Sequence, residues 1–507
     1  MKTILLSLLL LSLCVSASFA AIEYEIIDLG KLIDDADGAF SINNNGQIVG
    51  SFGGVNACLF DSTGNGNNVY LGTLGGNKSK AYSISDNGLI AGSAYLQSGF
   101  PHACLFDSTG NGGNIDIGTL GTDSSYACSV NNDGQVVGCA YYGGRTRAFF
   151  YENGSIRNLG SLGVNDSSIA FSINNDGQIV GKALTESRQG HACLFDPISS
   201  SNNIDLGTLR QNGGGHSTAY SNNSIGQIVG RADTDLGGWH ACLFDSTGNG
   251  NNIDLGALGG TVSRATSIND IGQIVGESNL SDWSWRACLF DPTGSGNNID
   301  LNTLIDPTSG WTLKYTYDIN SSGQIVGSGS IGGETHAYLL IPVPEPISLD
   351  IKPGSCPNPV NVKSKGILPV AILGTEEFEV STIDPASIFL NSVPAIRSSY
   401  EDVAGPVANR NECECTTDGP DGFMDLTLKF RTQEIVEALG EVNHGDVLTL
   451  SLTGVLDDET PIEGTDCIVI RGKHKPLNKA DINKDGIVNA VDMAIVAENW
   501  LQSSIVE

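Results

Sequence analysis

The sequence predicts an all-β protein: a seven-bladed β-propeller-like repeat region, then a β-sandwich, then a small calcium loop–helix tail. Three observations predict it. One β unit recurs seven times within residues 21–341. A proline-rich break at 342–346 ends the repetition, and strand-like runs of a different character follow over 347–473. A run of alternating oxygen-bearing side chains, Asp481 to Asp492, stands in the last segment, 477–503. Composition agrees, with 64 glycines and only 16% charged residues among 507, a turn-rich β profile and not a helical one. The net charge of −31 argues against nucleic acid as a partner, since phosphates would be repelled.

The first residues predict export. Lys2 gives a positive start, Ile4 to Val15 are almost wholly apolar, and Ser18-Phe19-Ala20 offers small residues for cleavage, so 1–20 reads as a signal peptide. That stretch is short for a membrane span and no later segment qualifies. The expected location is secreted, extracellular or at the cell surface. Leu13 before Cys14 weakens a lipid-anchor reading.

Each repeat carries three motifs. The first is a hairpin, Ser41-Ile42-Asn43-Asn44-Asn45-Gly46-Gln47-Ile48-Val49-Gly50 in its first copy. Its closing glycine returns at Gly92, Gly138, Gly181, Gly230, Gly276 and Gly327. The turn glycine at Gly46 and its equivalents answers the need of a tight turn for positive φ. The second motif is a strand, Ala103-Cys104-Leu105-Phe106-Asp107 and its equivalents; the third is a short strand such as Ile253-Asp254-Leu255-Gly256. Four short strands per unit match a propeller blade. The phase is the decisive detail. A lone third motif, Ile26-Ile27-Asp28-Leu29-Gly30, precedes the first hairpin, and none follows Ala337-Tyr338-Leu339-Leu340. The first strand is therefore expected to complete the last unit and remove the open sheet edges.

These residues, Ser-Ile-Asn-Asn-x-Gly-Gln-Ile-Val-Gly, His-Ala-Cys-Leu-Phe-Asp and Asp-Leu-Gly-Thr-Leu-Gly-Gly, resemble the bacterial extracellular HAF repeat. The resemblance implies an exported protein and supplies no ligand.

Side chains within the repeats suggest candidates. Cys58, Cys104, Cys193, Cys242 and Cys288 share one slot and read as buried small hydrophobes. Cys128 and Cys139 flank one hairpin turn and could form a disulfide across it. His102, His191, His240 and His336, with Asn56, Arg147 and Arg286, fill the slot before the alanine of the second motif. They read either as a rim for an acidic or sugar ligand or as strand-edge groups bonded to the neighbouring blade, and the second is preferred. No nucleophile elbow, phosphate loop or zinc helix motif is present.

In the later region, strands are expected at Ile367 to Leu373 and Val447 to Leu452, with a helix at Gln433 to Leu439. Pro342 to Pro346 reads as a hinge. Disulfide pairing is expected among Cys356, Cys413, Cys415 and Cys467 in an oxidising compartment. Asp418, Asp421 and Asp425 surround Gly-Pro-Asp-Gly, read either as a second calcium-stapled loop or as an acidic turn.

The tail carries the strongest chemical signal. Asp481, Asn483, Asp485 and Asp492 fall at loop positions one, three, five and twelve; Ile487 supplies a carbonyl at seven, Asn489 stands at nine, and Gly486 makes the turn at six. Alternate spacing wraps oxygens round a hard cation, so calcium is the expected cofactor. The loop and the helix after it resemble half of a type I dockerin. That resemblance implies a cohesin partner contacted through Ala490 and Val491, although dockerins carry two copies and this chain shows one.

Together these features predict a secreted, calcium-binding, non-catalytic binding, adhesion or scaffold module. Its expected partners are a cohesin-like or cell-surface protein, or extracellular polysaccharide. The alternative is a polysaccharide-degrading enzyme delivered by its tail.

Overall fold

The computed structural model describes residues 23–33, 37–53, 56–121, 124–164, 166–198, 202–405, 413, 417–457 and 460–474. The expected signal peptide and the expected calcium tail, with Asp481, Asn483, Asp485, Ile487, Asn489, Ala490, Val491 and Asp492, lie outside the described residues. The chain divides into two compact units, Met1–Pro342 and Val343–Glu507.

The first unit is β-propeller-like. Among its described residues are seven four-stranded sheets. Their first strands are Gly38–Ile42, Gly75–Ile84, Ser125–Val130, Ser168–Ile173, Ser217–Asn222, Ser263–Ile268 and Trp311–Ile319. Each of these packs against the first strand of the next sheet, and the seventh packs against the first. They line a common central channel. Six sheets take four consecutive strands, but the seventh takes its fourth from the start of the chain. There Glu23–Lys31 lies on Glu334–Val343, as the phase of the motifs predicts.

The core is divided among the interfaces between sheets. Val49, Ala57 and Leu71 of the first sheet meet Ala81, Ile84, Ile90 and Phe106 of the second in one apolar cluster. Equivalent clusters fill the other interfaces. The interface between the last and first sheets packs Leu29, Val326 and Leu339 against Ala39, Ile48 and Phe60. Cys58, Cys104, Cys193, Cys242 and Cys288 are fully buried in these clusters, as small hydrophobes.

Two glycines per repeat have different causes. Gly46 and its equivalents hold positive φ, 73° in the first copy, as a tight hairpin turn requires. The closing glycine answers a different demand. A Cβ on Gly50 would stand 1.9 Å from the Gly38 carbonyl oxygen, so the close approach of two strands, not the turn, excludes a side chain there.

The second unit holds two sheets over one apolar core. One contains Ile367–Leu373 and Asp425–Arg431, the other Val447–Val455 and Pro461–Arg471. Leu349, Val370, Ile372, Leu428 and Phe430 face Leu450, Leu452, Ile468 and Ile470 between them. Ile367–Leu373 matches its expected bounds, and the helix Thr432–Leu439 starts one residue early. The segment read as a hinge is strand on both sides of Pro344: one strand runs to Val343, and Glu345–Pro346 pairs in parallel with Ile462 and Glu463. Of the four cysteines expected to pair, Cys413 and Cys467 form a disulfide.

Candidate functional site

The channel has two chemically different ends, set by the direction of the first strands. Each first strand ends in the Asn-rich hairpin turn, so those turns gather at one end. Ser41, Ser83, Ser129, Ser172, Ser221 and Ser267 stand just before it, with Asp318 in the seventh sheet. They line a polar cavity of about 190 Å³. Its groups are largely committed to neighbouring sheets. Ser41 Oγ accepts from Ile84 N at 3.4 Å, Ser83 Oγ from Val130 N at 3.2 Å and Ser129 Oγ from Ile173 N at 3.3 Å. Asn131 Nδ2 donates to Asn174 O, Asn174 Nδ2 to Asn223 O, Asn223 Nδ2 to Asn269 O and Asn269 Nδ2 to Asn320 O, at 2.8–3.1 Å. Asn320 Nδ2 then donates to Asn43 O at 3.0 Å, joining the last sheet to the first.

Asp318 breaks the serine pattern at that junction. It accepts from Ser41 Oγ at 2.9 Å, Ile42 N at 3.0 Å, Ser267 Oγ at 2.6 Å and Ile319 N at 3.0 Å. Burial pushes its carboxyl above the usual range, against these stabilising bonds. Four donors converge where a serine could serve fewer.

The other end is aromatic, and a β-bulge makes it so. In every sheet the register slips between the alanine (Thr316 in the seventh sheet) and the serine or aspartate of the first strand. The residue between them is Phe40, Tyr82, Cys128, Phe171, Tyr220, Thr266 or Tyr317. A bulge lets two successive side chains turn to one side, so this residue joins the serine in facing the channel. Five of the seven are aromatic, and neighbours touch. Phe40 meets Tyr82 at 5.9 Å and Tyr317 at 5.4 Å between ring centroids, and Phe171 meets Tyr220 at 5.6 Å. Cys128 and Thr266 interrupt this ring. There the channel widens into a cavity of about 430 Å³, lined by Tyr82, Tyr126, Cys128, Phe171, Tyr220, Arg264 and Thr266.

Charge is concentrated in one part of this end. Arg264 ion-pairs with Glu277, which is fully buried. Burial pushes the Glu277 carboxyl up to about 7, and Arg264 opposes that rise. Past Arg264 a further cavity of about 500 Å³ runs by Asp37, Lys314 and Tyr317. The hairpins between second and third strands lie at this same end, since the second strand runs back from the polar turn. Their tips expose Phe100, Tyr141, Tyr142, Leu236 and Trp283. Trp283 is 68% exposed and holds φ 67°, a strained conformation for a bulky residue.

Of the slot residues singled out in the sequence, Arg147 does reach towards the neighbouring sheet, donating to the Asp166 carbonyl just before Ser168–Ile173. Among the described residues His102, His191, His240 and His336 bond within their own sheets and not to a neighbouring one. Their Nδ1 atoms lie 2.8–2.9 Å from Asp116, Asp205, Asp254 and Asp28, each on the adjacent strand of the same sheet. Arg286 meets Asp300 likewise at 3.6 Å. Cys128 and Cys139, read as able to bridge, are free thiols. The bulge places Tyr126, not Cys128, opposite Cys139 and turns Cys128 to the channel.

Asp418, Asp421 and Asp425 are not brought round one point. Asp425 is buried, and its carboxylate accepts from the backbone N–H groups of Gly374, Val403 and Ala404 at 2.8–3.2 Å. Asp418 and Asp421 are exposed, and Asp421 Oδ1 accepts from Phe423 N. Among the described residues no three of His, Cys, Asp and Glu converge as metal ligands, and no helix is long and apolar enough to cross a membrane.

No family model matches the chain, and no curated protein does. Among solved structures it is similar to a gluconolactonase from Xanthomonas campestris (9% identity, 63% of this chain and 90% of that one, TM-score 0.32). It is similar to a putative TolB from Agrobacterium tumefaciens (16% identity, 64% and 100%, TM-score 0.32). A third is a PQQ-bound aldose sugar dehydrogenase from Streptomyces coelicolor (9% identity, 63% and 99%, TM-score 0.33).

Proposed function

We propose that this chain is a secreted, calcium-binding and non-catalytic extracellular binding protein. Its repeat region acts as a closed seven-bladed propeller that takes a saccharide at the aromatic end of its channel. The observation that carries this reading is the cavity of about 430 Å³ between the two aromatic arcs. Sugar rings present apolar C–H faces that lie against aromatic rings, while hydroxyls at their edges need hydrogen-bonding partners. Tyr82, Tyr126 and Tyr220 supply both properties in one side chain, and Arg264 and Thr266 add polar groups in a mainly apolar wall. The exposed aromatic tips around the mouth extend such a surface to a polymer.

The tail completes the reading. Asp481, Asn483, Asp485, the Ile487 carbonyl, Asn489 and Asp492 would fold round calcium, and Ala490 and Val491 would meet a cohesin-like or cell-surface partner.

The test is a screen of the full chain against immobilised and soluble extracellular polysaccharides, with reducing-end release measured in parallel. The expected result is binding without new reducing ends, weakened at least about tenfold (roughly 1.4 kcal/mol) in Phe171→Ala/Tyr220→Ala. Binding unchanged in that variant would remove the site. Steady release of reducing ends by the wild-type protein would favour the enzymatic alternative.

A further inference from the structure

The second unit contains a buried carboxylate that no group among the described residues satisfies. Leu349 and Ile351 of the strand Ser348–Ile351 enter the core. Ser348 and Asp350 alternate with them, as a strand requires, and yet are buried too, Asp350 being only 3% exposed. Among the described residues neither Asp350 carboxylate oxygen has a hydrogen-bond partner, nor has Ser348 Oγ. Asn358, also buried, leaves its Oδ1 unpartnered.

A second carboxylate stands beside Asp350 and Asn358. Asp466 Oδ2 accepts from Ile351 N at 2.6 Å and from Asn358 Nδ2 at 3.0 Å. One oxygen thus fixes both the Asn358 amide and the residue after Asp350. No lysine, arginine or histidine pairs with Asp350 or Asp466 among the described residues. Burial and then the Asp466 charge push the Asp350 carboxyl up to about 7.

An uncompensated buried carboxylate is costly, and proteins resolve the cost with a proton or with a cation. The donors here are oxygens alone: a free carboxylate, an amide carbonyl and a hydroxyl. Calcium accepts that mixture and fills its remaining positions with water, whereas zinc prefers nitrogen and sulfur. We propose that Asp350, with Asn358 and Ser348 and facing Asp466, forms a buried calcium site that locks the second unit. This site is separate from the tail loop and independent of the saccharide reading.

The experiment is calorimetric melting of the full chain in chelator and in millimolar calcium, with calcium stoichiometry by equilibrium dialysis. Asp485→Ala removes the tail loop from consideration, and Asp350→Asn is made in that background. The expected result is a calcium-induced rise of the second unit's melting transition in Asp485→Ala, with at least one ion bound. Asp350→Asn should lose that rise and bind one ion fewer, while folding at least as well without calcium, since it removes a buried charge. Two results would overturn the proposal: no calcium shift in Asp485→Ala, or an undiminished shift and stoichiometry in Asp350→Asn.

Discussion

The two ends of the channel come from the same seven strands and differ in how they use the repeat. At the polar end the repeats agree. Serine recurs at six of seven positions and asparagine at six of the next seven inward-facing ones, and their hydrogen bonds run from sheet to sheet. At the aromatic end they disagree. The bulge residue is Phe, Tyr, Cys, Phe, Tyr, Thr and Tyr in turn, and the residue after the closing glycine is Ser51, Ser93, Cys139, Lys182, Arg231, Glu277 or Ser328. Agreement among repeats marks what every sheet needs to join its neighbour. Disagreement marks where the ring is free to be asymmetric, as recognition of an asymmetric ligand requires.

The largest expected effect comes from breaking the polar end at its seam. Asp318→Ala leaves Ser41, Ile42 N, Ser267 and Ile319 N without their acceptor. A loss of about 3–5 kcal/mol follows from orphaning several buried donors. Asp318→Ser restores the repeat pattern and should lose about half as much. Equal stability of all three proteins in denaturant titration would mean that the seam does not depend on this residue.

At the aromatic end the corresponding departure carries a pH signature. The Glu277 carboxyl is held near 7 in the folded chain, above its value of about 4.5 when unfolded. A folded pKa above the unfolded one means the folded state holds the proton more tightly between the two values. Stability of the repeat unit should therefore fall as pH rises from about 4.5 to 7, by up to about 3 kcal/mol at 1.36 kcal/mol per pH unit. Glu277→Gln should flatten that part of the curve. A slope unchanged by the substitution would show that Glu277 stays ionised throughout.

The smallest effect sharpens the comparison by repairing the one gap in the asparagine ring. Ser85 occupies the asparagine slot in the second sheet, and its hydroxyl bonds within its own turn, to Asn87 and Leu89. Ser85→Asn should reach Asn131 O as its counterparts reach theirs and add about 1 kcal/mol. A loss of stability instead would mean that the second turn cannot take the shared geometry.

Much of this arrangement was legible in the residues because its causes are local. Turn glycines, Asn-Asp turns and strand-length apolar runs mark each hairpin, and the lone Ile26 to Gly30 motif reveals the offset that joins the ends. The bulge was not legible. Strand reasoning assumes that side chains alternate, which puts Phe40 and its equivalents on the opposite face from Ser41. The signal was their recurrence just before the serine. The histidine partners could have been found: His102 and Asp116, His191 and Asp205, His240 and Asp254 all stand 14 residues apart, the spacing of adjacent strands in one sheet. Asp350 gives no sequence signal, because only burial makes its lack of a partner visible.

The central claim is that the aromatic end, and not the polar end, meets the ligand. Hydrogen–deuterium exchange of the full chain, with and without a saccharide identified by the polysaccharide screen, tests it directly. The account predicts added protection at 96–101, 142–145, 233–239 and 279–285, the tips around the aromatic mouth, and none at the Asn-rich turns 43–47, 131–135 and 269–273. Protection confined to those turns, with the aromatic tips unchanged, would contradict it.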